Sequence, residues 1–145
     1  MHLNMDCVRD ILFCVEEHTG IRSRCQFIDS GESQAADFLG LEINIPTYQL
    51  ELLEKYNNDE LIYHICYCIK ANLIEGDDTS NGYDIFINDL TPSGHEFLAN
   101  IRENNNWATV KKVAGKVGST SLSAFTTIAS QVIATLIKNE LKFIL

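Results

Sequence analysis

The sequence lacks the long hydrophobic run that a membrane-spanning helix needs. Its most apolar stretch, near the C-terminus, is interrupted by Gln131, Lys138, Asn139, Glu140 and Lys142. We expect no membrane span there, because a span needs about 20 predominantly apolar residues. The first residues show no basic segment, no apolar segment after it and no small-residue cleavage site, so no secretory signal is indicated. A cytoplasmic protein without membrane contact is the resulting expectation.

Sequence patterns that mark catalytic or metal sites are also missing. Residues 115–121 bring a phosphate-binding loop to mind, but the lysine is followed by Val117, and no glycine stands five residues before Gly115. No nucleophile elbow occurs, and the carboxylates are scattered as on a solvated surface. We therefore predict that the protein is not an enzyme and uses no metal and no cofactor.

The cysteines offer no paired disulfide framework, because their number is odd and their neighbours are apolar. We expect reduced, buried thiols. Five positions are concerned: Cys7, Cys14, Cys25, Cys66 and Cys68. Cys66 and Cys68 lie two residues apart on a predicted helix and therefore point to different faces. A metal site formed by His64 and Cys68, one helical turn apart, is the less favoured alternative.

Basic residues are scarce in the first part of the chain. Residues 1–90 hold five Lys or Arg and seventeen Asp or Glu, a net charge of -12, whereas residues 91–145 hold six and three, a net charge of +3. Contacts to phosphates supply much of the affinity of nucleic-acid complexes, so the acidic part should repel a duplex. The length of 145 residues fits one compact domain with an appendage.

The N-terminal pattern predicts one helix and two short strands. Apolar residues recur at helical spacing after Asn4, a good N-cap, and the pattern stops at residues 19–20. Residues 25–28 form a candidate strand within an irregular polar stretch. The alternation from Leu41 to Ile45, ended by Pro46, predicts a second, half-buried strand.

A helix, a tight turn and a second helix are predicted next. Thr47 is expected to cap the first of these helices, a turn covers residues 56–58, and Asp59 begins the second helix. Asn72 ends it, because asparagine tolerates the left-handed conformation that a helix terminus often needs. The predicted inner face of the second helix comprises Leu61, Ile62, Ile65, Cys66, Cys68 and Ile69.

A β-hairpin follows, because residues 73–74 lead into the turn-rich stretch EGDDTSNG and Ile85 and Ile87 alternate with polar positions beyond it. The predicted fold class is α+β, mostly α. It is a winged helix-turn-helix with a β-hairpin wing and an additional C-terminal helical extension. We place the winged-helix domain at residues 1–106 and the extension, with two helices, at residues 107–145.

The segment LTPSGHEFL starts a helix although it contains a glycine. Thr91 suits the N-cap and Pro92 the first helical position. Gly94 costs about 1 kcal/mol relative to alanine inside a helix, so we predict that the helix start lies against the hairpin or the first helix, where a Cβ would clash. His95 is expected to be a hydrogen-bonded residue that fixes this junction, and a site shared with His64 is the alternative.

The C-terminal part predicts two further helices. Trp107 opens an apolar pattern that Gly118 ends, and Ser119 or Ser121 can cap the long last helix. That helix carries an apolar stripe too long to leave in water. We expect it to form a homodimer with a second copy, and packing within the same chain is the alternative.

The outward face of the helix before the hairpin indicates what the protein contacts. It holds one lysine and no arginine, and Asp77 and Asp78 occupy the hairpin tip, where a minor-groove reader would carry basic residues. We interpret this face as a protein-contact patch rather than a base reader. Its predicted members are Glu60, Tyr63, His64, Tyr67 and Lys70, and a separate basic segment comprises Arg102, Lys111, Lys112 and Lys116.

Four stretches carry a family resemblance: MDCVRDILFCVEE, NDELIYHICYCIKANLI, LTPSGHEFLANIR and the tryptophan followed by VKK. With them the chain resembles a small phage- and prophage-borne bacterial family defined only as a domain of unknown function. The resemblance covers most of the chain and implies a winged-helix fold without an assigned activity. The matching positions are Arg9, Asp10, Tyr63, His64, Leu90, Thr91, Gly94, His95, Phe97, Leu98 and Trp107. The chain departs from the family at Cys68, at Asn72 and in an insert before Leu41.

Three functions follow as hypotheses. The first is a non-enzymatic protein-interaction or regulatory module that engages a host or phage protein. The second is a DNA-binding transcriptional regulator that acts as a dimer, with the basic segment contributing. The third and least favoured is a metal- or ligand-dependent enzyme that uses His64 and His95.

Overall fold

The structure, a computed structural model, describes residues 1–31, 40, 44–77 and 84–145. In these ranges the chain is α+β and mostly helical, with a three-stranded antiparallel sheet, which confirms the coarse fold class. The elements are α1 (Met5–His18), β1 (Cys25–Ile28), α2 (Thr47–Leu53), α3 (Asn58–Lys70), β2 (Ile74–Gly76), β3 (Asp84–Leu90), α4 (Pro92–Ile101), α5 (Asn104–Val117) and α6 (Leu122–Ile144).

The chain forms two compact units. Unit 1 comprises Met1–Gly94 and unit 2 comprises His95–Leu145, so the boundary falls inside α4. No charged residue lies between positions 91 and 94, so unit 1 carries the net charge of -12 and unit 2 the net charge of +3. The predicted division into residues 1–106 and 107–145 remains a prediction. None of the helices that the structure describes has the length and hydrophobicity to cross a bilayer.

The first helix begins as its sequence predicts. The side-chain oxygen of Asn4 accepts hydrogen bonds from the backbone N–H groups of Asp6 and Cys7, at 3.1 and 3.3 Å. These bonds satisfy donors that a helix start leaves unpaired. The apolar face of α1 is buried and contacts α3 and β3, so α1 belongs to the core of unit 1.

The sheet has the strand order β1-β3-β2, with both neighbours antiparallel to β3. Cys25 lies opposite Ile87 and Ile74 opposite Leu90. The predicted hairpin and the predicted strand at residues 25–28 are therefore confirmed, and the hairpin gains that strand as a third member. The strand predicted from Leu41 falls largely on residues 41–43, outside the described ranges, and residues 44–46 form neither helix nor strand.

The helix, turn and helix arrangement is present, with two corrections at its helix starts. Pro46, not Thr47, is the N-cap of α2, and no side chain caps that helix. The second helix, α3, begins one residue earlier than predicted, because Asn57 accepts a hydrogen bond from the N–H of Glu60 at 2.8 Å and serves as its cap. An asparagine is among the best N-cap residues, which explains the earlier start.

The end of α3 confirms the role predicted for Asn72. This residue has a φ of 59°. Its N–H donates to the carbonyl oxygen of Ile69 at 3.0 Å, and the N–H of Leu73 donates to that of Cys68 at 2.9 Å. These two bonds form a Schellman motif, which satisfies carbonyl groups that the helix leaves open. The chain then enters β2 directly.

The start of α4 shows why a glycine stands there. Thr91 is the cap: its hydroxyl accepts from the N–H of Gly94 at 3.0 Å and donates to the carbonyl oxygen of Asn72 at 2.6 Å. A Cβ added to Gly94 would overlap the carbonyl oxygen of Leu73 and lie 2.9 Å from its carbonyl carbon. The predicted close approach to the hairpin is therefore confirmed.

Unit 2 contains the two predicted C-terminal helices. The first, α5, begins at Asn104, three residues before the apolar pattern that Trp107 opens, so the run of asparagines belongs to this helix. Trp107 is buried, and its ring lies 5.5 Å from that of Phe125 on α6. Gly118 ends α5 in the left-handed region, with a φ of 72°, and Ser121 caps α6 through a hydrogen bond from Ala124. The predicted break and the predicted cap are confirmed.

Candidate functional site

The exposed side of α3 forms the first candidate surface, which we call the α3 face and define as Glu60, Tyr63, Tyr67 and Lys70. These positions are three, four and three residues apart, so they lie on one side of the helix. Tyr63 is 43% exposed, Lys70 is exposed, and the other two are half-buried. The face therefore presents two aromatic rings, one carboxylate and one ammonium group.

His64 does not belong to this face, although the sequence pattern placed it there. Its side chain is fully buried. The ring Nε2 accepts a hydrogen bond from the backbone N–H of Asn4 at 2.8 Å, and Nδ1 donates to the carbonyl oxygen of Glu60 at 2.7 Å. A buried polar ring needs such partners. The predicted outward position of His64 is wrong, because its two nitrogens tie the start of α1 to α3.

Glu60 is partly engaged in the same junction. Its carboxylate Oε1 accepts a hydrogen bond from Nδ2 of Asn4 at 2.9 Å. The carboxylate is thereby held toward α1 at one end of the α3 face. Tyr63, Tyr67 and Lys70 remain the parts of the face best able to contact a partner.

Histidine and cysteine side chains are possible metal ligands. Among the residues that the structure describes, no three His, Cys, Asp or Glu side chains converge on a point where a metal ion would fit. The suggested pair of His64 and Cys68 is not available, because both ring nitrogens of His64 bond to the backbone. His95 is exposed on α4, in unit 2. Its predicted role at the junction stays a prediction.

The thiols of Cys7 and Cys14 are held in their protonated form. All five cysteines are free; Cys66 is half-buried and the other four are buried, as predicted. Burial raises the pKa of Cys7 from 9.0 to about 12, and the nearby carboxylates of Glu60 and Asp10 add to the effect. A hydrogen bond with Cys25 and burial both raise the pKa of Cys14. Reactive cysteines show the opposite shift, toward the thiolate. The pKa of Cys25 is lowered in this sense, chiefly by its hydrogen bond with Cys14, but its side chain is fully buried.

Tyr56 links the turn between α2 and α3 to α1, a contact that the sequence did not indicate. Tyr56, in the turn between α2 and α3, is buried, and its hydroxyl donates to a carboxylate oxygen of Asp10 on α1 at 2.7 Å. Burial and this hydrogen bond raise the pKa of Tyr56. Asp10, one of the positions that carry the family resemblance, therefore has a structural partner.

The outer edge of the sheet is closed by side chains from α2. The hydroxyl of Tyr48 accepts from the N–H of Gln26 at 2.8 Å and donates to its carbonyl oxygen at 2.6 Å. Gln49, which is fully buried, pairs in the same way with Ile28. Open strand edges invite pairing with other chains. These contacts occupy the backbone groups of β1 that would otherwise offer such an edge, and no local sequence signal predicts them.

The second candidate surface lies in unit 2. A groove of about 460 Å³ runs between α5 and α6, and we call it the α5–α6 groove. Its apolar lining is Val113, Ile128, Val132 and Leu136, and its polar lining is Asn106, Thr109, Thr127, Gln131 and Thr135. The predicted basic segment, Arg102, Lys111, Lys112 and Lys116, is exposed, with three of its members on α5. No charged side chain lines the groove itself.

Beyond this groove α6 carries exposed apolar side chains. We call residues 137–144 the α6 overhang. Ile137 is 55% exposed, Leu141 47%, Phe143 88% and Ile144 76%. The stripe on this helix was predicted to need a partner or an intramolecular cover, and its last part has no cover within the described residues of the chain.

Comparison with known protein families gives a match. The family described as hypothetical protein (DUF2513) matches residues 2–121, which include residues 2–94 of unit 1 and the whole of α4 and α5. No curated protein matches. No solved structure matches either.

Proposed function

The chain belongs to the DUF2513 family of hypothetical proteins, and on that premise we propose that it is a non-enzymatic protein-interaction or regulatory module. In this proposal unit 1 is a winged helix-turn-helix that contacts another protein through the α3 face. Unit 2 joins two copies of the chain through α6. The resemblance to phage- and prophage-borne proteins favours a host or phage protein as the partner.

The order of elements in unit 1 supports the winged-helix part of the proposal. A helix and a strand precede the pair α2 and α3, and the hairpin of β2 and β3 follows directly. A helix-turn-helix followed by a hairpin is the arrangement that places a second helix and a wing on one surface. In DNA-binding members of this class the second helix enters the major groove, so α3 is the element that would meet a partner.

The observation that carries the proposed function is the chemistry of the α3 face. Tyr63 is the large exposed apolar side chain of α3, and Lys70 is the one cation of the face, in a unit with a net charge of -12. Tyrosine is enriched where proteins contact proteins. Base reading and phosphate contact use arginine and lysine instead. The face therefore suits a protein partner better than a duplex.

The experiment is affinity capture with three full-length proteins: wild type, Tyr63→Ala with Tyr67→Ala, and Glu54→Ala as an exposed control on the same unit. We expect the wild type and the control to retain a protein that the double variant does not. The captured protein must then bind purified wild type with at least about tenfold higher affinity than the double variant. Equal binding by all three proteins would remove the α3 face from the proposal.

The DNA-binding alternative is favoured by the helix-turn-helix arrangement and by the exposed basic segment. Its test is fluorescence anisotropy of a labelled duplex at several salt concentrations. True binding weakens steeply with salt, and Lys111→Glu with Lys112→Glu should reduce the slope of log affinity against log salt by roughly two. Binding with such a slope would favour this alternative over the protein-contact function.

A further inference from the structure

We infer that the α5–α6 groove of one chain receives the α6 overhang of a second copy, so that two copies exchange their C-terminal segments. This inference rests on the proposed dimer and adds to it the site at which the two copies meet. The contact joins the groove around Val132 of one copy to residues 137–144 of the other.

The two helices that border the groove, α5 and α6, differ in length. The helices α5 and α6 pack against each other as a hairpin joined by residues 118–121. They contain 14 and 23 residues. At 1.5 Å per residue α6 is longer by roughly 13 Å. A hairpin with unequal arms leaves the end of the longer arm without a partner helix.

The α6 overhang is apolar and exposed. Ile137, Leu141 and Ile144 are four and three residues apart and lie on one face of α6. All three are exposed, as is Phe143. A helical stripe with this spacing is the usual form of a helix that lies in an apolar groove. In isolation it would leave a contiguous apolar patch in water.

The α5–α6 groove and the α6 overhang are complementary in character. The groove has an apolar floor, and its other lining residues are neutral threonine, asparagine and glutamine side chains. The overhang offers on the order of 500 Å² of apolar surface, and with the groove of the same copy each share reaches roughly 600 Å², the lower end of a standard interface. Two hairpins that exchange overhangs complete a four-helix arrangement, in which the groove of each hairpin becomes core.

The experiment measures dimerisation of full-length variants by sedimentation equilibrium. Thr135→Glu and Thr109→Glu place a carboxylate in the groove from α6 and from α5, and both positions are exposed, so the chain should still fold. Ser130→Glu is the matched control, because Ser130 is exposed on α6 outside the groove lining. We expect each groove variant to raise the dimer dissociation constant at least about 30-fold. The control should leave it unchanged.

Contact across the two copies is tested by a photoreactive benzoylphenylalanine at position 135. A mixture of isotopically light and heavy chains should give cross-links from position 135 to residues 137–144 that join a light chain to a heavy one. Cross-links confined to single chains would overturn the exchange.

The outcomes separate the two proposals. If Ile137→Glu abolishes the dimer and both groove variants dimerise like wild type, the dimer through α6 is supported and the groove is not part of its interface. If the wild-type chain is a monomer up to about 100 μM, a concentration at which a standard interface associates, the dimer itself fails.

Discussion

The side chain of Gln49 pairs with the backbone of Ile28 as a neighbouring strand would. Its Oε1 accepts from the N–H of Ile28 at 2.8 Å, and its Nε2 donates to the carbonyl oxygen of Ile28 at 2.6 Å. Both partners are buried. One amide group on α2 thus satisfies both backbone groups of an edge residue of the sheet and fixes α2 against β1.

We therefore expect Gln49→Leu to lower the free energy of unfolding by about 2 to 4 kcal/mol, because it leaves a buried donor and a buried acceptor without partners. The measurement is urea unfolding followed by circular dichroism. Glu51→Ala, an exposed change on the same helix, should stay within about 0.5 kcal/mol of wild type. Equal losses in both variants would contradict the role of the paired amide.

His64 yields a second prediction. Replacing it with leucine keeps the volume roughly constant but leaves the N–H of Asn4 and the carbonyl oxygen of Glu60 without their partner. We expect a loss of about 2 to 4 kcal/mol in the free energy of unfolding. Tyr63→Leu, at the exposed neighbouring position, should change it by less than about 0.5 kcal/mol. Hydrogen exchange at the amide of Asn4 gives a direct check, since it should accelerate in the His64 variant alone.

Replacing glycine by alanine should have opposite effects on stability at two helical positions, Gly94 and Gly115. Gly94→Ala forces a Cβ into the carbonyl group of Leu73, whereas a Cβ on Gly115, in the last turn of α5, meets nothing within 4 Å. Alanine favours a helix over glycine by about 1 kcal/mol, so Gly115→Ala should stabilise by roughly that amount. Gly94→Ala should destabilise by about 2 kcal/mol or more, since the clashing atoms are backbone. Thermal and urea unfolding of both variants test the pair.

The raised pKa of Cys7 predicts a loss of stability at alkaline pH. In the folded chain its pKa is about 12, against an ordinary value of 9.0. The unfolded chain therefore releases this proton first as the pH rises. Between pH 9 and pH 12 the free energy of unfolding should fall by about 1.4 kcal/mol per pH unit on account of this one group.

The test is urea unfolding under reducing conditions at pH 8 and pH 10.5, where Cys7 should account for a loss of about 2 kcal/mol. Cys7→Ala should reduce the loss of the wild type by that amount. Val8→Ala, a buried neighbour without a thiol, should lower stability at both pH values and keep the wild-type dependence. An unchanged dependence in Cys7→Ala would show that its thiol does not remain protonated in the fold.

The sequence predicted those features that depend on neighbours within a few residues. The caps at Asn4 and Thr91, the left-handed turn at Asn72 and the break at Gly118 are local choices of backbone geometry, and all four were confirmed. Of the two predicted caps of the last helix, Ser119 and Ser121, the structure has Ser121. The N-cap of α2 at Pro46 was missed, because threonine and proline both occur at helix starts and only the backbone angles distinguish their positions.

The candidate site was predicted only in part. Helical spacing alone placed His64 beside Tyr63 and Tyr67 on one exposed face. Which of these side chains meets solvent depends on the packing of α1 against α3, and that packing brings the backbone of Asn4 to the imidazole ring. Spacing cannot reveal a partner that lies 60 residues away in the chain.

Periodicity, turn chemistry and composition suffice to predict the helices, the hairpin, their local caps and the acidic character of the first part. Which polar groups are buried depends instead on how distant segments pack. In the folded chain Tyr48 and Gln49 bond to the edge of the sheet, and His64 lies at the junction of α1 and α3. Gly94 lies where a Cβ would strike the backbone of Leu73. These assignments depend on distant backbone groups that must be satisfied once water is excluded, and only the folded chain brings them within reach.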